Sequence, residues 1–218
     1  MFGATVFSAA TLVATGTGVA AATPANELLN RQCIKYVPEP NANDVSDCRA
    51  AILDGEDLSG VNLQGANFQL ANLRDANLRG ANLRGANLNN SVLIRANLSR
   101  ADFAFVRAES ALMWEADASY TDFANARMRS VDLRDARLIY ANLAGTDLES
   151  ATLRNANLSF ANLDGANLTR ANLAMTTLVG ANLRGTDRTG TDFTGAEPSP
   201  DAPLDFAGSL AGPFGFGG

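Results

Sequence analysis

The chain of 218 residues contains no histidine, one lysine (Lys35) and two cysteines, Cys33 and Cys48. Without histidine it lacks the commonest general acid or base and the commonest metal ligand, and two thiolates are too few for a zinc site built in one chain. One lysine leaves almost no material for a Schiff-base site. The formal net charge of −6 disfavours nucleic-acid binding, which normally needs a basic face. Composition therefore predicts a protein without enzymatic activity, metal or cofactor.

What the chain does have is a five-residue repeat, which runs through residues 51–195 without insertion or deletion. These residues form 29 units, of which 24 have Leu or Phe and two have Met at the third place, while 19 have Ala at the first place. The second place is usually Asn or Asp, and the last two places vary. An unbroken short period is typical of a solenoid, in which each unit packs only on its neighbours. Function is therefore expected at the variable, outward places.

Units such as ANLRG, ANLRD, ANLDG and ANLTR resemble those of the pentapeptide repeat family, and the resemblance covers the whole of residues 51–195. It implies an all-β fold, a right-handed quadrilateral β-helix in which each pentapeptide makes one side of a square coil. The 29 units would then make about seven coils, with the first and third places pointing inward. The sequence agrees, because a Leu at every fifth position fits neither a strand nor a helix period. Gly, Asn and Asp at the last place are turn formers.

Three residues depart from the expected core pattern. Ala108 and Ala118 stand where Leu is expected, and the larger Phe103, Met113 and Phe123 nearby are predicted to fill the space that these alanines leave. Arg188 also takes a Leu place, near the end of the repeat, and is predicted to turn outward from a fraying last coil.

The segment before the repeat has two parts. Residues 1–25 are uncharged and rich in small residues, and they resemble a secretory signal peptide, although no basic residue follows Met1. We therefore expect export to the periplasm, an organelle lumen or the extracellular space; the alternative is a disordered tail on a cytoplasmic protein. Thr and Gly dilute this segment too much for a stable membrane span.

Residues 26–50 are predicted to form an N-terminal cap, with a short helix over Asn26–Tyr36 whose leucines face the first coil. Cys33 and Cys48 bracket the loop that follows the helix. In an oxidising compartment a disulfide between them would staple that loop, whereas in the cytoplasm they would be two buried thiols. Residues 196–218 lose the period and are predicted to form a Pro/Gly/Ala-rich tail.

Outward residues one coil apart are expected to stack in columns. One column contains Arg100, Tyr120, Tyr140 and Phe160, and it is the best candidate in the sequence for a surface that contacts a protein partner. The alternative is that these aromatic residues only stabilise neighbouring coils, as cross-strand pairs do in any sheet.

A second column contains the only tryptophan, Trp114, with Arg134 one coil further on. A cation–π contact between these two residues is predicted, and both belong to the candidate surface. The Asp residues at second places are better explained as turn groups than as catalytic groups. A third column, which contains Glu109, Arg129 and Glu149, predicts an ion-pair ladder.

The sequence therefore predicts an exported, non-enzymatic scaffold or interaction rod that binds a protein partner. It predicts neither nucleic-acid binding nor a stable membrane span, and a homodimer through a coil end is compatible with the resemblance. The alternative comes from members of the resembling family that mimic DNA and bind bacterial DNA gyrase. Mimicry of DNA needs columns of acidic charge, but residues 51–195 contain 16 acidic side chains and 14 arginines in mixed columns.

Overall fold

The computed structural model describes residues 24–33 and 46–197. They form one helix, α1 (Pro24–Gln32), and a β-helix that occupies the second range. The predicted signal segment, apart from its last two residues, and the tail beyond Glu197 lie outside the described residues. Within the described ranges, α1 is the only helix, and no helix has the length and hydropathy that crossing a membrane requires.

Parallel bridges between second-place residues build the β-helix. They join residues 20 positions apart, from Asp47 and Asn67 at one end to Thr177 and Glu197 at the other. Because a bridge occurs in every unit, each coil has four sides, and each side carries a single bridged residue between two turns. The predicted β-helix is therefore confirmed.

A turn follows every side of the coil. The N–H of the next unit donates to the third-place carbonyl, as Ala71 does to Phe68 at 3.0 Å, and this closes the turn over Gln69 and Leu70. Every fifth-place residue from Ala50 onward has a positive φ, between 53° and 70°. Glycine occupies 11 of these positions and other residues occupy 19, although side chains there are strained.

The second-place Asn and Asp residues hold the turns and link the coils. The Oδ1 of Asn82 accepts from the N–H of Arg84 at 3.1 Å, and its Nδ2 donates to Asn62 in the preceding coil at 3.2 Å. Asp102 accepts from the N–H of Ala104 in the same way, at 2.9 Å. Hydrogen bonding to the local backbone thus explains both residue types at this place, as predicted.

The core is a column of third-place Leu, Phe and Met side chains with first-place Ala at the corners. Ala108 and Ala118 are fully buried, and the rings of Phe103 and Phe123 pack at 5.4 Å with a tilt of 58°. The two rings and the two alanines belong to one buried core, which is compatible with the compensation predicted from the sequence. Arg188 is half-buried at the last coil.

Arg188 turns back to cover the end of the core. Its Nη2 donates to the carbonyl of Leu183 at 2.7 Å, and its Nε donates to Thr186 Oγ1 at 2.7 Å. The guanidinium therefore satisfies backbone at the last coil of the described residues, where no bridge joins the Arg188 unit to a following coil within residues 46–197.

The N-terminal boundary differs from the predicted one. The helix begins at Pro24, two residues before the expected start, because proline is well suited to the first turn of a helix. Leu29 is fully buried in the same core as the first coils, and a disulfide joins Cys33 to Cys48.

Cys48 itself stands at a third place, since residues 46–50 form a complete unit with a bridge at Asp47 and a turn at Ala50. The β-helix therefore begins one unit before the predicted boundary at residue 51, and it continues to Glu197 instead of ending at residue 195.

Candidate interaction surface

Four outward residues form a continuous stack along one side of the β-helix, which we call the aromatic stripe: Arg100, Tyr120, Tyr140 and Phe160. The Arg100 guanidinium lies 5.0 Å from the centroid of the Tyr120 ring. The rings of Tyr120 and Tyr140 stack at 5.1 Å, and those of Tyr140 and Phe160 stack at 4.9 Å, with interplanar angles of 14° and 11°. The spacing of the rings is thus close to the spacing between coils.

The stripe faces solvent. The exposed fractions of Tyr120, Tyr140 and Phe160 are 51%, 48% and 49%. The predicted column therefore exists, and it presents about half of each aromatic side chain. This geometry is compatible with both uses proposed from the sequence, since stacked rings stabilise coils and exposed rings can contact a partner.

All four stripe residues occupy fifth places, where the backbone favours glycine. Their φ angles lie between 57° and 61°, whereas the column beyond them contains Gly60, Gly80 and Gly180. Each bulky residue at a positive φ costs about 1–2 kcal/mol relative to glycine. Aromatic stacking returns about 0.5–1.5 kcal/mol for each pair. Packing alone therefore offsets the strain only partly.

A shallow recess of about 400 Å³ lies next to the stripe. Its floor is formed by Ser99 and Ser119, which lie in one column between the longer side chains of Arg79 and Ile139. The recess therefore arises where short fourth-place residues interrupt a column of long ones. Its remaining walls come from five residues: Asn97, Arg100, Asp117, Tyr120 and Arg137.

The hydroxyl groups of the floor are already engaged. Ser119 Oγ donates to Asp117 Oδ1, and Ser99 Oγ donates to Asn97 Oδ1, both at 2.6 Å. The recess thus presents guanidinium groups to solvent more readily than hydroxyl donors.

The predicted contact between Trp114 and Arg134 is wrong. The cation beside Trp114 is Arg74, two coils away, at 5.9 Å from the ring centroid. Ile94 lies between them in the same column and is only 3% exposed although its place is an outward one. Arg74 and Trp114 therefore close over Ile94, which buries an aliphatic side chain that would otherwise face water.

Arg134 is held by a nearer partner. Its Nε and Nη2 donate to the carboxylate of Asp132 at 2.8 and 2.6 Å. Burial acts to raise the pKa of Asp132, but the hydrogen bonds and charge of Arg134 outweigh it and hold this pKa below its ordinary value. Arg134 therefore pairs with Asp132, two residues away, instead of contacting the Trp114 ring one coil away.

The predicted ion-pair ladder forms on one side of Arg129. This guanidinium pairs with Asp147 and with Glu149, at 2.5 and 3.3 Å, in the next coil. No ion pair with Glu109 occurs within the described ranges. A further cation–π contact, missed from the sequence, places Arg84 4.7 Å from the ring of Phe105.

In the described part of the chain, no three His, Cys, Asp or Glu residues are grouped so that they could hold a metal ion. The second-place Asp residues on this face accept hydrogen bonds from their own turns. The surface thus consists of stacked rings, a shallow recess and guanidinium groups.

Comparison with known proteins assigns the fold to a family. The family model for pentapeptide repeats matches the chain in 8 copies. The matched segments are residues 46–80, 71–104, 96–135, 132–170 and 161–197, which together cover the entire β-helix. No curated protein shows significant similarity to this chain.

Solved structures of pentapeptide repeat proteins are similar to it as well. HetL, involved in heterocyst differentiation regulation in the cyanobacterium Nostoc sp. strain PCC 7120, is 31% identical, with a TM-score of 0.31, over 68% of this chain and 72% of HetL. QnrB1, a plasmid-mediated fluoroquinolone resistance protein, is 23% identical, with a TM-score of 0.46, over 66% and 70% of the two chains.

A pentapeptide repeat protein from the Arabidopsis thaliana thylakoid lumen is 29% identical over 49% of this chain and 71% of its own, with a TM-score of 0.29. These superpositions are too loose to carry an argument about function. The continuous match of the repeat model, together with the four-sided coil, establishes that the chain belongs to the pentapeptide repeat family.

Proposed function

We propose that this chain is an exported, non-enzymatic scaffold, a right-handed rod of about seven coils formed by its five-residue units, which binds a protein partner through the aromatic stripe. The observation that carries the proposal is the exposed stack of Tyr120, Tyr140 and Phe160 at fifth places. Aromatic residues and arginine are the types enriched at the centres of protein interfaces.

The succession of large side chains supports the proposal. Positive φ alone does not distinguish the stripe, because non-glycine residues occupy 19 of the 30 fifth places. The stripe differs in placing four large side chains in succession in one column, which has glycine on either side at Gly80 and Gly180.

The chemistry of the surface also favours binding over catalysis. The chain has no histidine, and the second-place Asp residues are bound to their turns. The recess is shallow, and an open site does not exclude water, which most catalytic sites must do. These features support a binding role.

Export rests on two observations. The N-terminal segment resembles a signal peptide, and the cap of the β-helix carries a disulfide between Cys33 and Cys48. Disulfides persist mainly in oxidising compartments. Mass spectrometry of the protein isolated from its source tests this point: removal of the predicted signal segment, residues 1–25, is expected, and an intact Met1 in the cytoplasmic fraction would contradict export.

The stripe is tested by replacing Tyr120, Tyr140 and Phe160 together with glycine. Since glycine already occupies this column and suits the positive φ, the variant is expected to fold. A matched control replaces three exposed apolar residues at fifth places on the other sides of the coil: Leu70, Phe105 and Met175.

The readout is the set of proteins that cross-link to each full-length variant in extracts of the source organism. We expect at least one partner to be recovered with the wild type and the control but lost, more than tenfold, with the stripe variant. That partner must then bind the purified wild type directly. Equal recovery with all three proteins would refute the stripe as a binding surface and leave it a structural feature.

The gyrase-binding alternative is not favoured by the charges of this surface. Over its central coils, the side of the rod with the stripe carries Arg79, Arg100 and Arg137 and one acidic residue, Asp117. The net charge of this side is therefore positive, whereas a mimic of DNA phosphates needs negative charge. Purified protein is expected to leave DNA supercoiling by gyrase unchanged. Inhibition at a concentration equimolar with gyrase would revive the alternative.

A further inference from the structure

We propose that the recess beside the stripe binds the carboxylate side chains of an acidic, extended segment of the partner protein, while an apolar side chain of that segment lies on the rings. This inference rests on the proposed function and names the chemistry of the partner. It depends on the charges around the recess and on its position next to the stripe.

Three guanidinium groups surround one carboxylate. Arg79, Arg100 and Arg137 line the recess with Asp117 as its only acidic residue, a net of two positive charges on a chain whose formal charge is −6. A partner drawn to this site by charge must therefore be acidic locally. Electrostatic complementarity of this kind sets specificity and the rate of association.

The three arginines keep their binding capacity. No ion pair joins Arg79, Arg100 or Arg137 to an acidic side chain within the described ranges, whereas Arg95 and Arg134, on the neighbouring side, are paired with Asp75 and Asp132. A guanidinium without an ion pair presents a planar fork of donors that matches a carboxylate in a bidentate arrangement, and Arg100 belongs to this group although its Cζ lies over the Tyr120 ring. The recess thus has guanidinium N–H donors available for a carboxylate of the partner.

The distances define a short motif. The recess shares Tyr120 with the stripe, and Phe160 lies two coils further on, about 10 Å away at the spacing of parallel strands. An extended peptide covers this distance in about three residues. Because the side chains of an extended peptide alternate between its two faces, the expected partner segment carries an Asp or Glu and a large apolar residue two or four positions apart.

Nucleic acid is the other polyanion that arginines attract. Its phosphates are closely and regularly spaced, and binding normally needs a broad basic surface. Here the positive charge is confined to one recess, with Asp117 inside it, and most of the other sides of the rod mix acidic residues with arginine. These observations favour an acidic peptide.

The test uses variants whose new residues already occur in the same columns. Arg79→Ser matches Ser99, and Arg137→Asn matches Asn97, so the double variant preserves the turn chemistry. The control, with Arg154→Ala and Arg184→Ala, removes two positive charges from other sides of the rod. Asp117→Asn removes the one acid from the recess.

The probe is an array of synthetic decapeptides that share their apolar residues and differ only in carrying Asp and Glu, Asn and Gln, or Lys and Arg. Full-length wild type is expected to bind acidic members with an apolar residue two or four positions away at least tenfold better than amide members. The Arg79/Arg137 variant should lose this preference, the Arg154/Arg184 control should keep it, and Asp117→Asn should strengthen it severalfold.

Several outcomes would overturn the inference. Equal binding of acidic and amide peptides, or a preference for acidic peptides that persists in the Arg79/Arg137 variant, would show that the recess does not recognise carboxylates. Preferential binding of a single-stranded oligonucleotide probe would identify a nucleic acid, and a change of oligomeric state in the arginine variant alone would identify a second copy of the chain.

The two variants distinguish a failure of the proposed function from a failure of this inference. If the glycine variant of the stripe loses its cross-linked partner but the arginine variant binds that partner as the wild type does, the stripe is an interface and the recess is not a carboxylate site. If neither variant changes recovery, the interaction role itself fails.

Discussion

The ring of Phe160 lies across the face of Gly180, its neighbour one coil further along the stripe. A Cβ added to Gly180 would overlap Cδ1 and Cε1 of this ring. Gly180 also has a φ of +68°, so a side chain there is strained for two reasons. Gly180 therefore leaves free the space that the last ring of the stripe occupies.

We predict that Gly180→Ala destabilises the protein more than Gly80→Ala does. Gly80 lies in the same column with a φ of +65°, and nothing would stand within 4 Å of its added Cβ. Gly80→Ala should cost about 1 kcal/mol from backbone strain alone, and Gly180→Ala about 2 kcal/mol because the ring must also leave the stack. Chemical denaturation measures both values.

Near-ultraviolet circular dichroism of the tyrosines gives the second readout. The signal should change in Gly180→Ala and stay as in the wild type in Gly80→Ala. Equal effects of the two substitutions, on stability and on the spectrum, would mean that the contact between Phe160 and Gly180 contributes nothing.

The cover over Ile94 leads to a prediction that uses the only tryptophan as its probe. Replacing Arg74 with alanine removes the guanidinium beside Trp114 and opens the cover, so the fluorescence maximum of Trp114 should shift to the red. Replacing Arg134 with alanine should leave the maximum unchanged, because Arg134 is bound to Asp132. A red shift with Arg134→Ala instead of Arg74→Ala would restore the contact expected from sequence.

This difference shows where reasoning from the sequence stops. A period of five assigns every residue to a column, so the core, the turns and the stripe could all be predicted from spacing. It could not predict which neighbour a long side chain chooses. Arg134 has both Trp114 one coil away and Asp132 on its own side, and the charged hydrogen bond wins over the ring.

The start of the β-helix shows a second limit. The unit that contains Cys48 has neither Leu at its centre nor Ala at its start, so its sequence resembles a linker. The recess could not be predicted from the sequence for a related reason. No single residue in the column from Arg79 to Ile139 indicates a recess. Its shape depends on the alternation of long and short side chains between coils.

Stability is predicted to be independent of pH between about pH 5.5 and 8 and to fall below about pH 4. The chain has no histidine to titrate in the neutral range. Hydrogen bonds from Arg95 hold the pKa of Asp75 below its ordinary value, and the hydroxyl and backbone of Ser59 do the same for the pKa of Asp57. A lowered folded-state pKa means that the unfolded chain binds protons first, so stability present above the unfolded pKa of about 3.9 is lost on acidification.

Thermal unfolding followed at pH 3, 4, 5, 6, 7 and 8 measures this profile. The variant Asp75→Asn should show a smaller loss between pH 5 and 3 than the wild type, because one of the titrating carboxylates is gone. A step in the melting temperature near pH 6.5, or a gain in stability below pH 4, would contradict the assignment.

The disulfide is predicted to act locally. Joining Cys33 to Cys48 closes a loop of 15 residues, which in the loop-entropy model corresponds to about 3 kcal/mol. In a solenoid each coil depends chiefly on its neighbours, so reduction should loosen the first coil and leave distant coils protected. Hydrogen exchange should therefore rise in residues 46–60 after reduction and remain unchanged in residues 141–160.

The variant Cys33→Ala distinguishes the effect of losing the disulfide from any other effect of the reductant. It should exchange in residues 46–60 as fast as the reduced wild type does, and adding reductant should change it no further. Cys48 remains in the variant, fully buried at its third place, so the core of the first coil is kept. Faster exchange along the whole rod would mean that the cap controls the global stability of the β-helix, and unchanged exchange would mean that Leu29 and its helix hold the first coil without the bond.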